Sequence, residues 1–467
     1  MTVKESRAPG VSPGLGRVIT IASAAALGGF LFGYDTSVIN GGVDAIQAHF
    51  GIGSVVIGLV VSSALLGSAV GAGIAGGMSN RVGRIRVMQT AALLFVVSSI
   101  GSALPFSVWD LALWRVLGGV AIGIASMIAP GYISEIAPPK YRGRLTSLQQ
   151  LAIVLGIAVS QLVNYAIAQG AGGSATNPLG PLLAWQWMLA AAAVPAAVYL
   201  VLSSVIPESP RYLVQIGKID EARRVFAKVD PSDPESKIAE VRDSLGEEQP
   251  KLRDLRGRFG FLPIVWVGVA IAALQQFVGI NVIFYYSSSL WQSVGVNESS
   301  SLLYSLFTSI VNIVGTFVAI ALVDRLGRKP LLLVGSAGMA VALAVTGYAF
   351  SYAQVAGENA VLPPEWGTVA LISASAFVLC YAASWGVVMW VLLAEMFPPR
   401  IRAAALAVGT ATNWIGNWLV TVTFPTMRGW NLPVTYYLYA AFAVLSFFLV
   451  QKYLKETKGR TLEEMGS

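Results

Sequence analysis

The chain has 467 residues, 55% of them hydrophobic and only 12% charged, about half the charged share of soluble domains. A net charge of +7 would suit a nucleic-acid partner, but every Lys and Arg except Arg115 and Arg428 falls on one side of the membrane map drawn below, so the charge records topology instead. A single cysteine, Cys380, and a single histidine, His49, exclude an intramolecular disulfide and any thiol- or His-based metal cluster.

Twelve apolar segments are each long enough to span a bilayer, which takes about 20 residues as a helix. They lie near 17–40, 55–77, 85–105, 109–134, 144–169, 184–206, 262–292, 300–323, 330–351, 366–394, 402–424 and 432–454. They are continuous rather than alternating, so helices and not barrel strands are expected. The polar start MTVKESRAPGVSPG leads to no cleavable signal by this reading. The first segment ends in GYDTSVING, where Asp35 interrupts an uncharged run, and His49 falls in a predicted loop. The fourth carries Arg115, and Pro130 as a site for a kink. Its GGVAIG is no nucleotide motif, because no strand precedes it. The fifth holds Gln149 and Gln150. The polar stretch 207–258 follows the sixth, and the apolar spacing in KIDEARRVFAKV predicts a short amphipathic surface helix there. The seventh holds QQFVGIN, the eighth Asn312, the tenth Trp390, and the eleventh Asn413 and Asn417.

The two sides of the linker repeat one another. GGMSNRVGRIRVM (76–88) corresponds to ALVDRLGRKPLLL (321–333), and YISEIAPPKYRGR (132–144) to LLAEMFPPRIRAA (392–404). The second pair is more widely spaced, which assigns extra residues to an outer loop around YAQVAGENAVLPPEWG. The expected fold is therefore an all-α membrane protein of two pseudo-symmetric six-helix halves, 1–206 and 259–467, joined by the cytoplasmic linker 207–258. Such a duplication puts a substrate site near the midplane between the halves. Both termini are expected to be cytoplasmic.

Ionisable residues inside a membrane mark function by default. Asp35 lies about five residues before the outer end of the first segment and Arg115 about six after the outer end of the fourth, so at 1.5 Å of rise per residue they share one depth. Two readings stand. The pair is a proton switch, in which a proton displaces the ion pair and frees two helices, or it is a structural pair that fixes register. The neutral polar set suits a sugar: amides offer donor and acceptor to adjacent hydroxyls, and an indole covers the C–H face. Gln276, Asn281 and Tyr285 fall on one helix face. Each amide alone serves equally well as glue between helices.

The paired RVGR and DRLGRK loops, PESPRYL, QQFVGIN and KETKGRTLEE resemble the sugar porter branch of the major facilitator superfamily, and within it bacterial glucose/proton symporters. The resemblance implies the major facilitator fold, with sugar contacts at Gln150, Gln275, Gln276, Asn281, Asn312, Trp390 and Asn413. Pocket lining falls at Phe32, Tyr285, Tyr381, Trp414 and Asn417. It also implies aspartate at position 35 in proton symporters. One departure stands out: Ala192 occupies the place of a second carboxylate in some proton-linked relatives. Arg81, Arg84, Glu135, Arg142, Glu208, Arg211, Asp324, Arg328, Glu395 and Arg402 are expected to form an inter-half network that closes the inner side and breaks when the site faces inward. The function expected is proton-coupled uptake of a monosaccharide, D-glucose first, by a monomer in a bacterial cytoplasmic membrane, with no cofactor besides the proton. The alternatives are a uniporter with the same pocket or a non-transporting sugar sensor. No nucleophile–base pair or P-loop argues for an enzyme or an ATP-driven pump.

Overall fold

The computed structural model describes residues 15–138, 141–229, 233–245, 252–257, 260–356, 359–398 and 400–457. From the amino terminus, α1 (Leu15–Val38) passes through a 3-10 turn (Ile39–Gly41) into α2 (Val43–Phe50). Then come α3 (Ser54–Val82), α4 (Arg84–Ala103), α5 (Val108–Ile136) and α6 (Arg142–Gly170). The sixth crossing is divided at Ala192 into α7 (Ala184–Ala191) and α8 (Ala193–Val205). His49 is in α2, not a loop; its ring lies against Phe50 and Trp185, and left-handed Gly51 ends the helix.

The linker contains α9 (Pro210–Gln215), α10 (Ile219–Val229) and α11 (Pro234–Leu245). In α10 the apolar positions Ala222, Val225, Phe226 and Val229 are buried while Arg223, Arg224 and Lys228 are exposed, which is the spacing that makes it a surface helix.

The second set begins with α12 (Pro263–Phe277) and α13 (Ile280–Ser293), separated at Gly279, whose φ of 82° is open to glycine without strain. There follow α14 (Glu298–Leu326), α15 (Arg328–Phe350), α16 (Pro364–Ala382), α17 (Trp385–Met396) and α18 (Arg402–Tyr453). Eleven helical stretches among the described residues are long and apolar enough to cross a membrane. The last, Ala404–Tyr453, has 50 residues. That is about 75 Å of helix, more than twice a hydrocarbon core of about 30 Å. Its backbone leaves the helical region at Asn431, whose side chain accepts from Val434 N at 3.0 Å as a fresh N-cap. The run is thus two crossings, at the places the eleventh and twelfth segments predict.

Short antiparallel hairpins occupy three connections: β1 (Pro178–Leu179) with β2 (Leu182–Leu183), β3 (Arg256–Gly257) with β4 (Gly260–Phe261), and β5 (Gln354–Ala356) with β6 (Asn359–Val361). The third lies in the long connection between α15 and α16, which the sequence marks only as an insertion.

The core of the bundle is apolar, as in a soluble protein, but so is its outer surface. Large apolar side chains such as Leu113 and Val334 face outward, while Ser62, Ser68, Ser160, Ser305 and Ser336 are buried between helices. Small residues let backbones approach: a Cβ on Gly33 would strike the carbonyl of Ile153 in α6, and one on Gly119 that of Ala64 in α3.

Candidate functional site

Asp35 of α1 and Arg115 of α5 meet in the interior, with Arg115 Nη1 donating to Asp35 Oδ1 at 2.6 Å. Both are buried, and the shared depth read from the sequence is what lets them pair. The contact is single: Nη2 and Nε of Arg115 are buried without a hydrogen-bond partner. Tyr285 of α13 lies beside Asp35, Thr36 and Asn417, so one aromatic ring joins the ion pair to the opposite set of helices. Asn417 in turn accepts from Thr421 Oγ1 at 3.2 Å.

The break at Gly279 has a consequence for the amides. It ends α12 directly after Gln275 and Gln276 and starts α13 one residue before Asn281, so three amides gather at the kink. Gln276 Nε2 donates to Asn413 Oδ1 (3.0 Å) and to Gln275 Oε1 (3.2 Å), and Asn281 Nδ2 donates to Gln276 Oε1 (2.5 Å). Asn413 Nδ2 donates to Gln275 Oε1 (2.6 Å), and Gln275 Nε2 to the carbonyl of Trp385 (3.1 Å). Four of the expected sugar contacts therefore form one network on α12, α13 and α18. Asn312 of α14 and Tyr381 of α16 are buried. Gln150 of α6 is half-buried, and its neighbour Gln149 is buried against Gly29 of α1. Phe32 of α1 meets Trp414 of α18 edge-on at 5.6 Å between ring centres, across the seam. Trp390 of α17 is partly exposed, at 38%.

The charged end of the bundle carries two copies of one arrangement. In the first, Arg84 holds Glu135 with two bonds, Nη2–Oε1 at 2.8 Å and Nε–Oε2 at 3.0 Å, and its Nη1 donates to the Ser79 carbonyl. Glu208 caps α4 by accepting from the backbone N–H of Arg84 and Ile85. In the second, Arg328 holds Glu395 at 2.7 and 2.9 Å, donates to the Val323 carbonyl, and Glu456 caps α15 from the N–H of Arg328 and Lys329. Carboxylates at helix N-termini are favoured by the orphan donors and the dipole. Gly83 and Gly327 precede these helices with φ of 96° and 94°. A Cβ there would strike the capping carboxylate.

The bidentate pairs of this structure are local ones, whereas the network expected between the halves is one that breaks when the site faces inward. These bidentate pairs each close within one six-helix set, because the loop, the next helix end and the chain just past the set converge there. Asp324 adds a bond to Arg328 at 3.1 Å from an exposed position. The Arg81 carbonyl accepts from Tyr212, Arg402 donates to the Phe397 carbonyl, and Arg211 is half-buried in α9. Arg142 begins α6, but its side chain lies outside the described residues.

The model of the family described as "Sugar (and other) transporter" matches residues 21–467. The chain belongs to the sugar transporter family. It is 51% identical to a glucose transport protein of Synechocystis over 96% of this chain and 97% of that one. It resembles the partially occluded inward open form of the xylose transporter of Escherichia coli, with a TM-score of 0.83, 34% identity, and coverage of 96% of this chain and 100% of that chain. A structure of the major facilitator proton:xylose symporter bound to 6-bromo-6-deoxy-D-glucose matches at a TM-score of 0.77 and 35% identity, covering 97% and 98%.

At the end opposite the charged clusters a set of buried polar bonds ties the two helix sets together, and the sequence alone did not show it. Asn40, buried in the turn after α1, donates through Nδ2 to Ser287 (3.3 Å) and Ser305 (3.2 Å), and its Oδ1 accepts from Ser288 N (3.0 Å). It also reaches Gln161 of α6 (3.1 Å). Beside it Asp44 of α2 accepts from Ser289 Oγ at 2.5 Å, and Arg428 of α18 donates to the same hydroxyl. Glu298 accepts from Ala175 N across the same seam. The available signal was the polar run SSS (287–289) facing the ING of the first segment, but serines in membrane helices usually bond their own turn. Burial of the set between two helix bundles emerges only in three dimensions.

Proposed function

We propose that this transporter takes up a monosaccharide together with a proton, D-glucose being the first candidate, by alternating access in a bacterial cytoplasmic membrane. The charged end faces the cytoplasm, as the Lys and Arg distribution favours. The observation that carries the reading is the buried Asp35–Arg115 pair set beside Tyr285, which touches both α1 and the α13–α18 side of the amide pocket. Protonation of Asp35 removes the charge that holds Arg115, and the helices carrying them are released relative to one another. Gln150, Gln275, Gln276, Asn281, Asn312, Trp390 and Asn413 bind the sugar, with Phe32, Tyr285, Tyr381, Trp414 and Asn417 lining the pocket. With the seal at Asn40 and Asp44 made, the site opens to the cytoplasm. One chain and the bilayer are sufficient for this cycle.

Ala192 favours a second reading, a uniporter, because no carboxylate stands there to accept a proton. Radiolabelled glucose uptake into proteoliposomes separates the two. With an inward proton gradient, the wild type accumulates sugar, about tenfold per pH unit at one proton per sugar. Asp35→Asn exchanges sugar but does not accumulate it. If both proteins only equilibrate sugar, the coupling reading fails and the uniporter stands.

A further inference from the structure

A cavity of about 10 Å³ lies against the Asp35–Arg115 pair on the side away from the amide pocket, among α4, α5 and the break between α7 and α8. A buried space of this size accommodates about one water if polar partners surround it. They do. Arg115 is 3% exposed and lines the cavity, with Nε and Nη2 free of protein partners. A guanidinium has five N–H donors, and leaving the three on Nε and Nη2 buried and unmet is costly. Opposite it stand Ser98, Ser99 and Ser102 of α4, all buried. Ser98 and Ser99 spend their hydroxyl protons on the Phe95 carbonyl, at 3.1 and 2.7 Å, so their lone pairs are left as acceptors. Among the lining residues only Asp35 and Arg115 are ionisable, and Ala192 closes the far wall with a methyl group.

The serines also define a direction. α4 ends at Ala103, so Ser102 lies one residue from the outer end of the helix and Ser98 five, or about 1.5 and 7.5 Å along the axis. The three buried serines line the cavity from the last turns of α4, and none of the amides of the pocket is among its lining residues.

We propose that this cavity is a water site, and that its water passes the proton between the outer end of α4 and Asp35 by a route separate from the sugar path. The proposal rests on the reading of Asp35 as the proton site. Bulk water at the outer end supplies the proton. Hydronium in the cavity gives it to Asp35 Oδ2, which Arg115 does not hold; an O–H bond breaks on the hydronium, one forms on the carboxyl, and neutral water stays behind bonded to Arg115. Asp35 thus touches two spaces, one wetted for the proton and one shaped for the sugar.

The test is to fill or depolarise the cavity and compare two kinds of transport in proteoliposomes. Ala192→Val and Gly118→Ala put methyl groups into it; Ser99→Ala and Ser102→Ala remove acceptors. Counterflow of labelled glucose without a gradient reads the sugar path and shows that a variant is folded. Expected are counterflow within about twofold of wild type and a gradient-driven initial rate at least tenfold lower for the filled variants, with a smaller loss for the serine variants. A solvent deuterium isotope effect on gradient-driven uptake is expected in wild type and absent from counterflow. Filled variants that keep counterflow and are driven as fast as wild type overturn the proposal. If the filled variants do not fold, the serine variants decide by the same comparison. If Asp35→Asn itself accumulates sugar like the wild type, the underlying reading fails instead. An experimental map that shows waters then judges the site alone: density within hydrogen-bond distance of Arg115 Nη2 supports the water site, and its absence overturns it.

Discussion

Replacing Asn40 with alanine should open the outer end of this transporter. The Asn40 side chain makes three bonds to the opposite helix set, with Ser287, Ser305 and the backbone N–H of Ser288. Its two amide hydrogens are shared among three oxygens, so those bonds count for fewer than their number. A net value near 1 kcal/mol for each full bond gives about 2–3 kcal/mol of bias toward the sealed form. Loss of that bias shifts the open-to-sealed ratio by about 30- to 150-fold. Water reaches the groups that Asn40 held in the open form but not in the sealed form of the variant, so the effect favours opening and not general unfolding. The assay is a pulsed electron-spin distance measurement between labels at Ala48 and Thr426, both exposed near the outer end, in a protein whose free Cys380 is replaced by serine. A longer distance should appear in Asn40→Ala and dominate at low sugar. If the distance distribution is unchanged while the melting temperature falls, Asn40 is merely structural glue and the seal is held elsewhere.

The same labels read a pH effect. Burial holds the Asp44 carboxyl above the usual carboxylate range, against the opposing influence of Ser289 and Arg428. The sealed end therefore binds this proton more tightly than an open, hydrated Asp44 does. Lowering the outer pH through the raised pKa favours the short distance, the advantage fades as pH rises past it, and Asp44→Asn removes the dependence; the opposite slope would count against this linkage. Gly83→Ala and Gly327→Ala force φ near 95° on a side chain that meets a capping carboxylate, so each should cost about 1–3 kcal/mol, seen as a lower melting temperature in detergent. An unchanged melting temperature in both would mean the caps are dispensable. Gln276→Ala removes bonds to Gln275, Asn281 and Asn413 and should weaken glucose binding about tenfold by tryptophan fluorescence titration. Binding unaltered by that change would take Gln276 out of the pocket.

Much of the fold was legible because lipid imposes a strict rule. A chain crossing it must satisfy its own backbone, so long apolar runs become helices, and their ends lay within a few residues of the observed bounds. The merged run across Asn431 was separable in sequence because Asn and Pro433 break the apolar pattern. Asp35 and Arg115 could be paired on paper because depth is arithmetic when helix direction is known. The QQFVGIN stretch announced both its amides and its glycine, and the glycine is where α12 gives way to α13.

What tertiary structure alone decided is which groups share a space. Repeated motifs revealed that two charged clusters exist, but not that each closes within its own set of helices; that depends on where Glu208 and Glu456 arrive after their last crossings. Asn40, Ser287 and Ser305 are far apart in the chain, and only the approach of α1 to α13 and α14 makes them a seal. The serines of α4 look like any small-residue face until Arg115 is seen to turn two unpaired nitrogens toward them. Sequence determines the elements through local rules of burial and backbone satisfaction. The sites arise where separate helices bring polar atoms within about 3 Å of one another, and no local rule carries that distance.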